Sequence, residues 1–277
     1  PVKVAIPVMV LLVLFSLPFL GVKLGSPWAT VLPPDDEARL GQELLDKELG
    51  PGALSPILVV IQPDNEVLDR ETVGAIYDFT HRLTGDDRVV RVDSIVTIDP
   101  SITREQYQEI YAAPKNMLPE AIQIVLPSMV AEDITLLRVY TSTTPGSDDA
   151  EALVRKIRSQ TVGTGISMIV TGATAAMDDS VSLMYSYFPM VIIYIVIVTY
   201  IVLLFFFRSV VLPFKAVIMN AMSILATFGA LVYIFQQGHF ENVLGFEAVG
   251  QIEATIPISL FCIAFGLSMD YEVFLLS

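Results

Sequence analysis

The chain has 277 residues, 53% of them hydrophobic, and a formal charge of −14. Its mean hydropathy of +0.63 is not that of an ordinary soluble domain, so part of the chain is expected to be dissolved in lipid. The charge is segregated: 13 of the basic residues and 25 of the acidic ones lie between residues 23 and 186, which gives that stretch roughly −12 and excludes a nucleic-acid surface.

Cys262 is the single cysteine, so neither a disulfide framework nor a cysteine metal site can be built within the chain. With His81 and His239 as the two histidines, no histidine metal site is expected, and no cofactor. Pro1 at the start and Ser277 inside an apolar run read as the ends of a fragment of a longer polypeptide.

In chain order, the first apolar segment runs from Val4 to Val22 between Lys3 and Lys23. It is long enough to cross about 30 Å of hydrocarbon. A cleaved signal peptide is the alternative, and no small-residue cleavage site clearly follows. Residues 1–22 are therefore assigned to membrane helix one and residues 23–185 to a domain outside the bilayer.

Within that domain "SPILVVIQ" (Ser55 to Gln62) reads as a strand. "LDRETVGAIYDFTHRLTG" (Leu68 to Gly85) has Val73, Ile76, Tyr77, Phe79 and Leu83 at helical spacing. "RVVRVDSIV" (Arg88 to Val96) is a second strand, and a helical insertion follows from Arg104 to Leu126, broken by Pro114 and Pro119. A strand (Asp133 to Ser142), a helix (Asp148 to Thr161) and a strand (Ser167 to Thr171) complete the order βαβ, insertion, βαβ of a ferredoxin-like α+β domain. "STTPGSDD" (Ser142 to Asp149) is expected to cap a helix rather than hold a ligand. "TGATAAMDDS" (Thr171 to Ser180) lacks the spacing and lysine of a phosphate loop and is expected to start a helix running on into the bilayer. Its neighbours Asp178 and Asp179 point to different faces of that helix, which argues against a paired-carboxylate catalytic site; the chain is not expected to be an enzyme.

Residues 186–277 should hold three more spans, at about 186–207, 212–236 and 254–277, for four in all. Arg208 and Lys215 flank a short connection, Ser209 to Phe214, whereas Gln236 to Glu253 has acids and no Lys or Arg. By the positive-inside bias the short connection is cytoplasmic, together with Lys3, and residues 23–185 are extracytoplasmic. The expected setting is a multi-pass protein of the cytoplasmic membrane.

The last span contains an acid. Counted from Thr255, Asp270 lies about 23 Å along the helix. A charge at that depth is costly, so such residues usually face a bundle interior and mark a proton or ion pathway. A shorter or outward-shifted span would instead leave Asp270 and Glu272 as solvated acids at the interface, and spacing alone leaves both readings open. Gly266, one turn earlier, shares the face of Asp270 and would let another helix pack close; Tyr271, 100° round, could donate its hydroxyl to a partner.

"FGLSMDYEVFLLS" (Phe265 to Ser277) resembles the fourth-helix signature of the MMPL family, in the resistance-nodulation-division superfamily of transporters. "VLPPDDEARLGQELL" (Val31 to Leu45) and "LLFFFRSVVLPFKA" (Leu203 to Ala216) resemble the family's approach to its external domain and its second-to-third helix turn. The resemblance implies a transporter of about twelve helices in two similar halves, with a porter domain after the first helix of each. It implies proton-driven export of lipids or other hydrophobic molecules, with Asp270 and Tyr271 as a proton relay facing a second pair in the other half. Gly266 and Ser268 are then the small residues expected where helices pack at the relay. Other classes remain: a non-transporting scaffold or sensor that assembles as an oligomer or with membrane partners, or a protein-export accessory.

Overall fold

The computed structural model of the chain describes residues 2–25 and 29–276, with the side chains of residues 2, 4, 5, 115, 270 and 272–276 outside the described set. Helix α1 (Val2–Ser16) is followed by a short 3-10 turn and strand β1 (Leu24–Gly25); α2 (Glu37–Leu49) opens a run of β2 (Ile57–Pro63), α3 (Arg70–Thr84) and β3 (Val89–Asp93). The insertion forms α4 (Arg104–Tyr111) and α5 (Glu120–Met129), and then come β4 (Thr135–Thr141), α6 (Asp148–Arg158) and β5 (Ile166–Thr171). The rest is α7 (Ala173–Phe207), α8 (Val211–Leu231), a short α9 (Glu241–Leu244), β6 (Ile252–Glu253) and α10 (Thr255–Leu276). The chain divides into two compact units, residues 34–179 and residues 1–33 with 180–277.

The first unit is built on a four-stranded sheet in the order β3-β4-β2-β5, with every neighbour antiparallel. Alternation places Ile57, Val59 and Ile61 of β2 and Leu137 and Val139 of β4 on the buried face. Against them α3 packs Val73, Ile76, Phe79 and Leu83, and α6 packs Leu153, Val154 and Ile157; each such side chain contributes about 1.5–3 kcal/mol when fully buried. Helix starts carry the caps their sequences offer. Asp69 accepts from the Glu71 amide at 3.0 Å, Thr103 and Gln106 form a reciprocal capping box, and Ser147 accepts from the Ala150 amide at 3.3 Å. The segment from Ser142 to Asp149 is thus a turn and cap, as its residues suggest. The insertion is pinned by two tyrosines: Tyr107 donates to the Asp99 carbonyl at 2.9 Å and Tyr111 to that of Ile95 at 2.6 Å.

Asp86 ties the start of β3 to α6, accepting from Arg88 and from Lys156, each at 2.8 Å. The Arg88 guanidinium, followed by Lys156 and outweighing the opposing cost of burial, holds this carboxyl well below the usual carboxylate range. A depressed acid contributes its stability above the unfolded-state value near 4 and loses it as pH falls through the folded-state value. Asp86→Asn is therefore expected to cost about 1 kcal/mol at neutral pH, and the difference should shrink steadily below about pH 4. Denaturant melts of the two proteins at pH 7 and pH 3 measure it; a difference that does not shrink on acidification would refute the assignment.

Among the described residues two helices are long and apolar enough to cross a membrane, α7 and α8 with its continuation to Gln236, and shorter apolar stretches lie at Ile6–Gly21 and Thr255–Met269. The 35 residues of α7 extend to about 52 Å, more than a bilayer's hydrocarbon requires. The turn between α7 and α8 is tighter than the loop expected from Ser209 to Phe214. The Arg208 amide still donates to Leu204 at 3.0 Å, and Arg208 itself takes φ 51°, the left-handed conformation that ends helices, so α8 begins at Val211. Helices α1 and α8 meet at Gly229, where an added Cβ would collide with the Phe15 carbonyl, and Phe19 packs on Phe228 with the rings tilted by 38° and their centroids 5.1 Å apart.

A small hydrogen-bonded knot, absent from the sequence expectations, joins the segments after α1 and before α10. Strands β1 and β6 pair in parallel. Gln236 accepts from the Lys23 amide at 2.8 Å and donates to the Gly21 carbonyl at 2.9 Å.

Candidate functional site

Helix α10 is set from its first residue. The Glu253 carboxylate accepts from the Thr255 amide at 3.0 Å and from its hydroxyl, capping the helix start. The preceding Ala254 donates to the Gly25 carbonyl at 2.9 Å and accepts from the Tyr185 hydroxyl at 2.8 Å. From this anchored end Phe261, Phe265 and Met269 form one buried stripe at four-residue spacing. They share a core with Ala216, Ile224 and Phe228 of α8 and Leu203 of α7; Phe188 of α7 meets Phe261 edge to face at 5.6 Å.

The helix backbone runs unbroken through position 270, about 23 Å from Thr255 along the axis. The side chains of Asp270 and Glu272 lie outside the described residues. Tyr271 is 69% exposed, and Ser268 is half-buried. Gly266 is exposed, and an added Cβ would meet nothing within 4 Å. On the helix, Gly266 flanks the Phe261–Phe265–Met269 stripe, about 100° round from its middle, and the described residues leave open the face on which a helix could approach it. Among the described residues no group of three or more His, Cys, Asp or Glu could hold a metal ion.

Sequence reasoning missed one polar residue in the membrane unit. Asn220, midway along α8, is 2% exposed, and neither its amide nitrogen nor its oxygen has a hydrogen-bond partner among the described residues. It follows Ala216 and precedes Ile224 and Phe228 on the stripe that joins the shared core; an asparagine inside an apolar run was the available signal. Leaving an amide unsatisfied costs about 1–3 kcal/mol, whereas an apolar side chain of similar shape avoids that cost. Asn220→Leu is therefore expected to leave the thermal midpoint of the detergent-solubilised protein unchanged or raised. A fall of several degrees would show that the amide is bonded after all.

Against known proteins, residues 30–277 match the model of the MMPL family. The chain is 28% identical over 278 residues to the mycolic acid-containing lipids exporter MmpL11 of Mycolicibacterium smegmatis, covering 99% of this chain and 26% of that protein. It is 29% identical over 278 residues to the trehalose monomycolate exporter MmpL3 of Mycobacterium tuberculosis, covering 100% of this chain and 27% of the relative. A third relative, the heme uptake protein MmpL11 of Mycobacterium tuberculosis, is 28% identical over 258 residues, covering 92% of this chain and 23% of its own length. The chain thus spans about a quarter of the length of the curated relatives it matches. With a family match over nearly its whole length, the chain belongs to the MMPL family.

Proposed function

We propose that this chain is part of a proton-driven exporter of lipids or other hydrophobic molecules in the cytoplasmic membrane, with Asp270 and Tyr271 as its proton relay. The observation that carries the reading is an Asp-Tyr pair about 23 Å into an apolar helix, in a chain matched to the MMPL family. The relatives' names supply the substrate class: two are exporters of mycolic lipids. A relative named for heme uptake makes heme the second cargo to test.

In this reading residues 1–22, 186–207, 212–236 and 254–277 are four membrane helices, and residues 23–185 form an extracytoplasmic porter domain. The strand order β3-β4-β2-β5 with antiparallel neighbours supports a ferredoxin-like assignment for it. The open face at Gly266 and the exposed Tyr271 support a partner helix carrying a second relay pair, supplied by another half of the full-length protein. Gly266 and Ser268 would then set how closely that helix packs.

The mechanism follows from the chemistry of a carboxyl in lipid. Protonation neutralises Asp270 and removes the cost of holding a charge there, and deprotonation restores it; the packing of α10 against its partner therefore has two states of different energy. Tyr271 would donate its hydroxyl to the charged form of the relay. The test is reconstitution of the full-length protein in lipid vesicles, with movement of a fluorescent glycolipid followed under an imposed pH gradient. Transport should cease when a protonophore collapses the gradient; transport indifferent to the gradient would reject the proposal.

A further inference from the structure

The start of α7 is held by several independent features, all within residues 34–179. Between β5 and α7 stands Gly172 at φ 108°, where an added Cβ would lie 2.9 Å from the Pro56 carbonyl oxygen; both the conformation and the space demand glycine. Thr174 and Ala175, in the first turn, are buried. Two turns of helix then present Asp178 and Asp179 to α6. Asp178 accepts from Arg155 Nη1 at 2.9 Å, and Asp179 accepts from both terminal nitrogens of Arg158 at 2.6 and 2.7 Å. Arg158 also donates to the Val170 carbonyl of β5 at 3.1 Å, so one guanidinium joins α6, the sheet and α7. Its hydrogen bonds to the Asp179 carboxylate, outweighing the opposing cost of burial, hold Arg158 above the ordinary arginine value.

The geometry exceeds what stability requires. Each pair joins an open side chain to a shielded one, Arg155 at 56% exposed with Asp178 at 17%, and Asp179 at 59% with Arg158 at 32%, and half-open ion pairs of this kind contribute little to folding. What they do fix is orientation. Arg155 and Arg158, three residues apart, share a face of α6, while the adjacent aspartates leave α7 about 100° apart. A single pair would act as a pivot; two pairs at different azimuths resist roll of α7 about its own axis. The helix continues without a break to Phe207, Pro189 included. Proline removes one backbone bond and permits bending, but roll still passes along a continuous helix.

We propose that the Arg155–Asp178 and Arg158–Asp179 pairs form a splint through which roll or tilt of membrane helix α7 is delivered to β5 and its sheet, making Arg158 a positioning residue for transport. This rests on the proton-driven reading above. The splint does not touch cargo or relay; its work is to keep movement of α7 from being lost as slippage at its domain end.

The experiment uses the full-length protein in vesicles, recording proton influx and glycolipid movement together. Arg155→Ala with Arg158→Ala is expected to keep proton influx while lipid moved per proton falls about tenfold, with the thermal midpoint within about 3 °C of wild type. Exchanging the charges, Arg158→Asp with Asp179→Arg, should recover part of the coupling that Arg158→Asp alone loses. Wild-type lipid movement per proton in the double alanine variant would overturn the splint, and so would loss of coupling that merely tracks loss of folded protein. Asp270→Asn, run alongside, separates the two ideas: unchanged proton influx there fails the relay, whatever the arginine variants do.

Discussion

Asp270→Asn is expected to reduce gradient-driven lipid movement to the level of protein-free vesicles, with the protein still inserted and folded. Asparagine preserves the shape of the side chain and its capacity for hydrogen bonding, so any packing role survives. What it removes is the ability to gain and lose a proton, the property on which the two-state picture of α10 depends. Asp270→Glu keeps that ability but displaces the carboxyl by one methylene, and partial transport is expected. Lipid movement under an imposed pH gradient, with insertion checked by thermal melting in detergent, measures both. Full transport in Asp270→Asn would remove the relay from the mechanism.

The second large effect is structural. At Gly229 an added Cβ would collide with the Phe15 carbonyl, a backbone atom that cannot rotate away. Helices α1 and α8 must therefore separate or shift, because only a small residue lets two helix backbones approach this closely. Overpacking of this kind costs about 1–3 kcal/mol or more, so Gly229→Val should lower the thermal midpoint markedly and reduce the amount of folded protein recovered. Gly266→Val is the control, because nothing lies within 4 Å of its added Cβ. It should leave the packing of these helices intact and harm transport only through the proposed partner helix. An unchanged midpoint for Gly229→Val would contradict the close approach of α1 and α8.

Much of the domain was legible because period and punctuation agree. Richness in β-branched residues marks β2, helical spacing marks α3, and the capping turn from Ser142 to Asp149 marks the start of α6. Reading Thr171 to Ser180 as the start of a long helix also holds: α7 begins at Ala173, and Asp178 and Asp179 engage different arginines. Less legible were features that exist only through distant partners. Helix α2 was not anticipated although Asp36 caps it; its leucines Leu40, Leu44, Leu45 and Leu49 are exposed, so no core stripe advertises it. The β1–β6 pairing joins two-residue strands more than 200 positions apart, too short for any periodicity. The tight turn at Arg208 depends on a non-glycine residue with positive φ, which composition does not signal. Of the site, the sequence offers the acid, its depth and its motif. The face that Gly266 leaves open, and the unsatisfied Asn220, emerge only once the α7, α8 and α10 core is assembled.

Proton movement through the protein is the property on which lipid export is proposed to depend. In vesicles containing the full-length protein and a trapped pH-sensitive dye, wild type should acidify the lumen in step with lipid movement when a gradient is imposed, and Asp270→Asn should show neither. Lipid movement with no accompanying proton flux, or equal proton flux in wild type and Asp270→Asn, would contradict it.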